Sequence, residues 1–330
     1  MRAVVVRSFG GPEVLVLDEV PVPRPAAGEL LVDVEVCGVN YADTHATENT
    51  YLAPQQLPLV PGAEVVGRVR EVGEGADAAL VGRRVVGLVP HGGYAEVAVV
   101  PQATSVVIDE ALPAADACAL VLQGVTAWHL LRTSTRMAPG ESVVVHSAAG
   151  GVGTVAVQLA RQWQAGRVIA SASTVAKREL AHELGADVVV DVSAAAAGGA
   201  GAVRDLLLSA NDGRGVDVVL EMTGGDVFNG SYLALAPLGR LVVFGLASRR
   251  AGRSVAPVDL MASSRTVGGF WLQAALARGG LAPIMEELLS MTSAGLLRAV
   301  VGGSYPLAEA AQAHADMRAR RTTGKVVLVP

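Results

Sequence analysis

The stretch that most constrains this chain is Ser142 to Trp163, SVVVHSAAGGVGTVAVQLARQW. Within Ser142–Ser147 the run Val143–Val145 is short, apolar and β-branched, which predicts a buried strand. Ala148–Gly151 is a tight turn of small residues. Beyond it Val152, Val155, Ala156, Leu159, Ala160 and Trp163 recur at helical spacing and define one apolar face. A strand, a glycine turn and a helix N-terminus in that order make a dinucleotide site. Bare backbone lets a pyrophosphate approach, and the unpaired N–H groups and helix dipole favour its charge. The spacing is Ala148-x-Gly150-x-x-Gly153, the dinucleotide fingerprint with alanine at its first glycine. Ala149, Gly150, Gly151, Val152 and Gly153 are the candidate contacts. Glycine turns also close ordinary βα units, so the context of this one decides its meaning.

That context is a change of pattern along the chain. Residues 1–120 carry short β signals at Ala3–Val6, Val14–Val20, Leu30–Val36, Val65–Val72, Arg84–Val89 and Tyr94–Val100, punctuated by glycine and proline. They predict an irregular β domain or barrel. The segment Cys37–Pro61 is less regular and bears Asn40, Tyr41, Asp43, His45 and Tyr51, polar and aromatic groups suited to a site. From about Leu120 strands and helices alternate. Ala127–Thr133 reads as helix; Arg167–Ser171, Val188–Asp191, Val216–Met222, Arg240–Phe244 and Thr266–Leu272 read as further strands. Ala176–Leu184, Val203–Ala210 and Phe228–Leu235 read as the helices between them, with Ala194–Ala202 a loose loop. This is α/β, a doubly wound parallel sheet. Helices at Pro283–Ser290 and Leu307–Arg320 and a strand at Lys325–Val329 then return to the first domain, so the nucleotide domain is an insertion.

A chain of 330 residues has room for two cores. With 51% apolar and 17% charged residues it is not disordered. A net charge of −5 without a basic stripe argues against nucleic acid as a partner. No uninterrupted apolar run is long enough to span a membrane, and the opening MRAVVVRSFG reads as a first strand rather than a signal peptide. Cys37 and Cys118 are the only cysteines, which suits a reducing cytoplasm. Lys177 and Lys325 are the only lysines, so each calls for a reason.

The segments MRAVVVRSFGGPEVLVLDEVPVP, CGVNYADTH, PGAEVVGRV, LQGVTAWHLL, PGESVVVHSAAGGVGTVAVQLA, GRGVDVVLEMTGG, LAPLGRLVVFG, GFWL and RRTTGKVVLVP resemble, in order and nearly end to end, the zinc-independent (zeta-crystallin-like) quinone oxidoreductase family of the medium-chain dehydrogenase/reductase superfamily. The resemblance implies a GroES-like β-rich catalytic domain at 1–123 and 273–330, a Rossmann domain at 124–272, NADPH in the cleft between them, and a homodimer. It implies no metal. Where zinc relatives place a cysteine ligand this chain has Asn40, and where they place a histidine it has Ala63. Glu64 remains, and a lone carboxylate is no zinc site.

The end of the second parallel strand sets the cofactor. It offers Ser171, Ala172, Ser173, Thr174 and, three residues on, Lys177 and Arg178, with no acid. Hydroxyls with a cation suit a 2′-phosphate, and an acid would repel it. In the family the residue matching Lys177 contacts that phosphate; the alternative is a solvated helix N-terminus. A family tyrosine that joins this pocket matches Val192, a departure. By resemblance Thr126 lies near the diphosphate or ribose, Gly245, Phe270 and Leu272 line the carboxamide, and Arg320 reaches the cofactor or is a surface charge. Gln123 falls where the family varies.

Hydride transfer needs no protein nucleophile. It needs a held acceptor, excluded water, and donors where charge develops on the acceptor oxygen. Asn40, Tyr41, His45 and Tyr51 are those donors here. His45 replaces a family tyrosine and can also give a proton near neutral pH. Asp43 reads as structural, and His146 as a satisfied core histidine or an ordinary one. The leading function is reduction of quinones or α,β-unsaturated carbonyls by NADPH. The alternatives are an enoyl-thioester reductase of polyketide or fatty acyl chains and an NADPH-binding structural or regulatory protein.

Overall fold

The computed structural model describes residues 1–50, 52–277 and 280–330. It divides into two units, residues 1–125 with 280–330 and residues 126–279.

In the first unit the eleven-residue strand β3 (Glu29–Val39) is the spine. It runs antiparallel to β4 (Glu64–Val72) along most of its length, to β6 (Val97–Pro101) over Glu29–Asp33, and to β15 (Lys325–Val329) over Cys37–Val39. With β5 (Arg84–Leu88), β7 (Ser105–Val107) and β14 (Val301–Pro306) the order is β14-β15-β3-β4-β5-β7. The residue pattern explains the layering. The first half of β4 is buried on both faces, whereas in its second half Arg68 and Arg70 face solvent around buried Val69. Val4, Leu30, Val32, Val65, Val85, Tyr94, Val100 and Leu328 share one core with the short ladder of β1 (Arg2–Val5) and β2 (Val16–Glu19). The segment β2 starts later than its apolar run suggests, because Pro12 fixes a 3-10 turn over Pro12–Val14. Strand β14, VGGSYP, has no apolar alternation and was not legible in the sequence; its pairing with β15 makes it a strand.

The second unit is a six-stranded parallel sheet ordered β10-β9-β8-β11-β12-β13. Its strands are β8 (Ser142–Val145), β9 (Arg167–Ser171), β10 (Val188–Val190), β11 (Val216–Glu221), β12 (Leu235–Val243) and β13 (Thr266–Gly269). All four residues of β8 are buried, as a central parallel strand requires. The order reverses about β8, so the carboxyl end of β8 is the switch point where such sheets bind ligands. The helix α4 (Gly151–Gln162) starts there. Helix α5 (Val175–Glu183) follows β9, and α8 (Gly225–Ala234) follows β11.

Several expectations are corrected. Ala194–Ala202 is not a loose loop: α6 (Val192–Ala196) and α7 (Gly199–Ala210) cover most of it. Asp191 caps α6 by accepting the N–H groups of Ser193 and Ala194, both at 3.1 Å, and alanine then sustains the helix. Leu235 opens β12 rather than closing a helix, and β13 stops at Gly269, leaving Leu272 in the first turn of α10 (Leu272–Leu276). Cys37–Pro61 contains a helix, α1 (Tyr41–Ala46). The helix expected at Ala127–Thr133 is the end of a longer one, Ala114–Ser134, built from α2 (Ala114–Ala119), α3 (Val125–His129) and π-helical turns after each. By length and composition its most apolar stretch could cross a membrane, but 72% of that stretch is buried inside the protein, as in a core helix.

Candidate active site

On the second unit the site is built from the ends of β8 and β9. Ser147 carries the left-handed backbone of the turn, at φ 52°, so Ala148 needs no such conformation and tolerates its Cβ. Gly153 is different. A Cβ there would collide with the Ser147 carbonyl and come within 2.6 Å of Ala148 Cα, so only glycine lets α4 pack this close to the strand. Gly150 is the N-cap residue, and no side chain caps α4. The N–H groups of Gly151, Val152 and Gly153 therefore point outward at the positive end of a twelve-residue helix, a cradle that fits a pyrophosphate.

His146 braces the turn from inside. It is fully buried, with Nδ1 2.9 Å from Ser171 Oγ and Nε2 2.8 Å from Ser231 Oγ, tying the ends of β8 and β9 to α8. Burial depresses its pKa to about 4, so the imidazole is neutral. The same contact commits the Ser171 hydroxyl. At the end of β9, Thr174 caps α5 by accepting the Lys177 N–H at 3.3 Å, which puts Lys177 in the first turn of that helix and Ser173 just before its cap. Arg178 is engaged elsewhere: it donates to Ala172 O at 3.0 Å and to Asp191 at 3.1 Å, neutralising the one acid at the neighbouring strand end. Val192 is core.

Further along the sheet edge, Gly245 lies against Met222, where a Cβ would sit 3.1 Å from Met222 Cβ. Phe270 donates its N–H to Val243 O at 2.9 Å, and its ring lies 5.6 Å from that of His129. His129 shares the helix with buried Thr126, its Nδ1 3.0 Å from Thr133 Oγ1 and its Nε2 buried without a partner. Sequence reasoning leaves His129 as an ordinary histidine; its helical spacing of three from Thr126 is the one signal that sets it beside a candidate residue. The same reasoning passes over Glu221, the last residue of β11. Its Oε1 accepts the N–H groups of Thr223 (2.7 Å) and Gly224 (3.0 Å), its Oε2 has no partner, and burial pushes its pKa up to about 7.

In the first unit the candidate residues lie on α1 and beneath it. Asn40 N–H donates to Asp43 Oδ2 at 2.8 Å, and the same oxygen accepts the Tyr94 hydroxyl at 2.9 Å. Tyr94 OH is also 3.0 Å from His314 Nε2. Asp43 is thus structural, held by backbone and tyrosine, and burial raises its pKa to about 6. His45 is buried, with Nδ1 3.1 Å from Thr50 Oγ1 and its ring edge-on to half-buried Tyr41 at 5.6 Å. Tyr51 lies outside the described residues. Asn40 is 4% exposed and its amide is engaged at both ends. Nδ2 donates to Glu64 Oε1 (2.8 Å), and Oδ1 accepts from Gln123 Nε2 (3.1 Å) and Lys325 Nζ (3.4 Å). Lys325 is ion-paired with Glu64, and both are wholly buried. Arg320 is exposed just past α12 (Ala310–Arg318), with φ 58°.

This place does not fit a zinc ion. Asn40 offers an amide and Ala63 nothing, and the Glu64 carboxylate is already bound to an ammonium. Among the described residues no group of three histidine, cysteine or carboxylate side chains converges elsewhere.

Comparison with known proteins agrees with both halves of the molecule. An alcohol dehydrogenase GroES-like domain matches residues 26–110, and a zinc-binding dehydrogenase domain matches residues 184–328. The quinone oxidoreductase of Rattus norvegicus is 33% identical, over 100% of this chain and 98% of its own. Among solved structures, a mycobacterial protein complexed with NADPH superimposes with a TM-score of 0.92 at 38% identity. The Escherichia coli quinone oxidoreductase complexed with NADPH gives 0.92 at 30%; each comparison covers 100% of both chains. With that full-length identity and with the GroES-like and Rossmann units both in place, the chain belongs to the quinone oxidoreductase family of the medium-chain dehydrogenase/reductase superfamily.

Proposed function

We propose that this protein is an NADPH-dependent reductase that delivers hydride to quinones or α,β-unsaturated carbonyls, with no metal taking part. One observation carries the reading. The uncapped N-terminus of α4 stands over a glycine turn, and the neighbouring strand β9 ends in hydroxyls and Lys177 rather than in an acid. The first arrangement suits a pyrophosphate and the second a 2′-phosphate. NADPH, when bound, supplies the hydride. The backbone of Ala149 to Gly153 binds the pyrophosphate, Ser173 and Lys177 the 2′-phosphate, and Thr126, Gly245, Phe270, Leu272 and Arg320 are the further contacts. Asn40, Tyr41, His45 and Tyr51 orient the acceptor and stabilise charge on its oxygen, and His45 gives a proton to the reduced product. The rat and Escherichia coli relatives, both named quinone oxidoreductases, support the acceptor class.

The working unit in this reading is a homodimer in the cytoplasm. Strand β13 ends the parallel sheet with exposed Val258, Met261 and Trp271 close to it in sequence, which supports pairing with a second copy. Cys37 and Cys118 are free and buried, which supports a reducing compartment.

The test is NADPH oxidation followed at 340 nm with 1,4-benzoquinone, 9,10-phenanthrenequinone, a 2-alkenal and crotonyl-CoA, each repeated with NADH and with EDTA. Turnover of quinones or enones, favouring NADPH and indifferent to EDTA, is the expected result. In the same assay Lys177→Ala raises KM for NADPH by roughly tenfold and leaves that for NADH unchanged. Turnover confined to the CoA ester would reassign the protein as an enoyl-thioester reductase. Tight NADPH binding with no acceptor reduced would point to the structural or regulatory role.

A further inference from the structure

Resting on that reading, we propose that Lys325 and Glu64 are positioning residues for the reduction step, fixing the Asn40 amide in one orientation at the start of the helix that bears Tyr41 and His45. The two charges come from the strands on either side of β3 and meet over Gly38, where any Cβ would collide with the Glu64 carboxylate and lie 2.5 Å from Lys325 Nζ. Both side chains are 0% exposed. Between them they contact opposite ends of the Asn40 amide: the ammonium faces Oδ1 and the carboxylate accepts from Nδ2. A flipped amide would set its C=O against a carboxylate and its NH₂ against an ammonium, so one orientation is selected electrostatically. Gln123 adds a second donor to Oδ1. One Nδ2 proton is thereby committed, and the other is held in a fixed direction. A cation on the amide oxygen also draws density from the nitrogen and makes that remaining N–H a stronger donor.

Stability alone does not account for the pair. Apolar residues of similar volume commonly serve a core as well as a buried ion pair does. Here Glu64 Oε2 and Gln123 Oε1 remain buried without partners, a cost that an apolar core would not carry. The chain otherwise prefers arginine, and Lys325 is one of its only two lysines. The compact ammonium sits beside Gly38, in the space that any side chain at that position would take.

The test compares the wild type with the double variant Lys325→Met/Glu64→Leu, which removes both charges together, and with Glu64→Gln, which keeps the volume and the acceptor oxygen. The expected result for each variant is near-native circular dichroism, an NADPH Kd within twofold of wild type, an unchanged KM for NADPH, and a kcat for quinone reduction lowered at least tenfold in the double variant and at least threefold in Glu64→Gln. A folded variant with kcat within twofold of wild type would overturn the proposal. A second readout does not depend on turnover. In protein labelled with ¹⁵N-asparagine the side-chain signals come from Asn40, Asn49, Asn211 and Asn229, and Asn40→Ser identifies the first. The wild-type Asn40 NH₂ pair is expected to be widely split, with one proton far downfield, and the splitting to shrink in Glu64→Gln. An unchanged splitting would sink the proposal. A wild type inert to every acceptor would end the functional reading and leave the amide orientation to be decided by these signals.

Discussion

His45 and His146 show how far a single side chain can be read without its surroundings. Both were legible as residues of interest, one in a polar segment, the other at a strand end. Burial then separates them. His146 has both nitrogens satisfied by serine hydroxyls and is held neutral, so it is a brace. His45 is buried beside Tyr41 in a helix whose first turn is fixed by Asn40 and Asp43. His45→Ala and His45→Phe are therefore expected to lower kcat for quinone reduction roughly tenfold and to flatten its dependence on pH between 6 and 8. Wild-type turnover across that range in both variants would remove His45 from the reaction. The partnership of Lys325 with Glu64 was out of reach, because 261 residues separate them. The scarcity of lysine marked Lys325 as unusual and could say nothing about which carboxylate it met.

Elements followed their sequence patterns where the local signal was strong and departed where a cap decided. The turn into α4 was legible because its glycines have a backbone cause. Gly153 abuts the Ser147 carbonyl, so Gly153→Ala is expected to destabilise the fold by about 1–3 kcal/mol and to weaken NADPH binding, measured by urea unfolding and by cofactor titration. Native stability with native NADPH affinity would show that the strand and helix can separate at no cost. The alanine-rich run after β10 was misjudged as a loop, since low complexity hides the cap: Asp191 starts α6 and also receives Arg178. Asp191→Ala is expected to cost about 1–2 kcal/mol in the same unfolding experiment, with lost helical circular dichroism. An unchanged midpoint would mean the run of alanines holds α6 unaided. Strand β14 had no signal of its own, because its strand character comes from the hydrogen bonds of β15.

At the scale of the whole molecule, buried titratable groups set how stability varies with pH. Burial keeps Glu221 protonated up to about pH 7, against an ordinary value of 4.5. The folded state then holds more protons than the unfolded chain between those values, so this group makes stability fall as pH rises through them, and the loss is complete above pH 7. His146 acts in the opposite sense. Its folded pKa of about 4 lies below the ordinary 6.5, so its contribution is full above 6.5 and is lost as pH falls towards 4. Glu221→Gln keeps the oxygen that accepts from Thr223 and Gly224 and removes the falling limb. Its stability relative to wild type should therefore rise between pH 5 and pH 8 by about 1–3 kcal/mol, measured by urea unfolding at both values. An equal difference at both would mean that Glu221 titrates as an ordinary glutamate. The sequence by itself determined the two kinds of unit, the parallel sheet with its glycine turn, and the residue types that point to NADPH. These depend on periodicity and on backbone sterics, which act within a few residues. Tertiary structure alone decided which buried charges meet, which histidines are satisfied, and that Asn40 is held between an ammonium and a carboxylate. Those outcomes depend on desolvation and on contacts between strands far apart in the chain, and no local pattern encodes them.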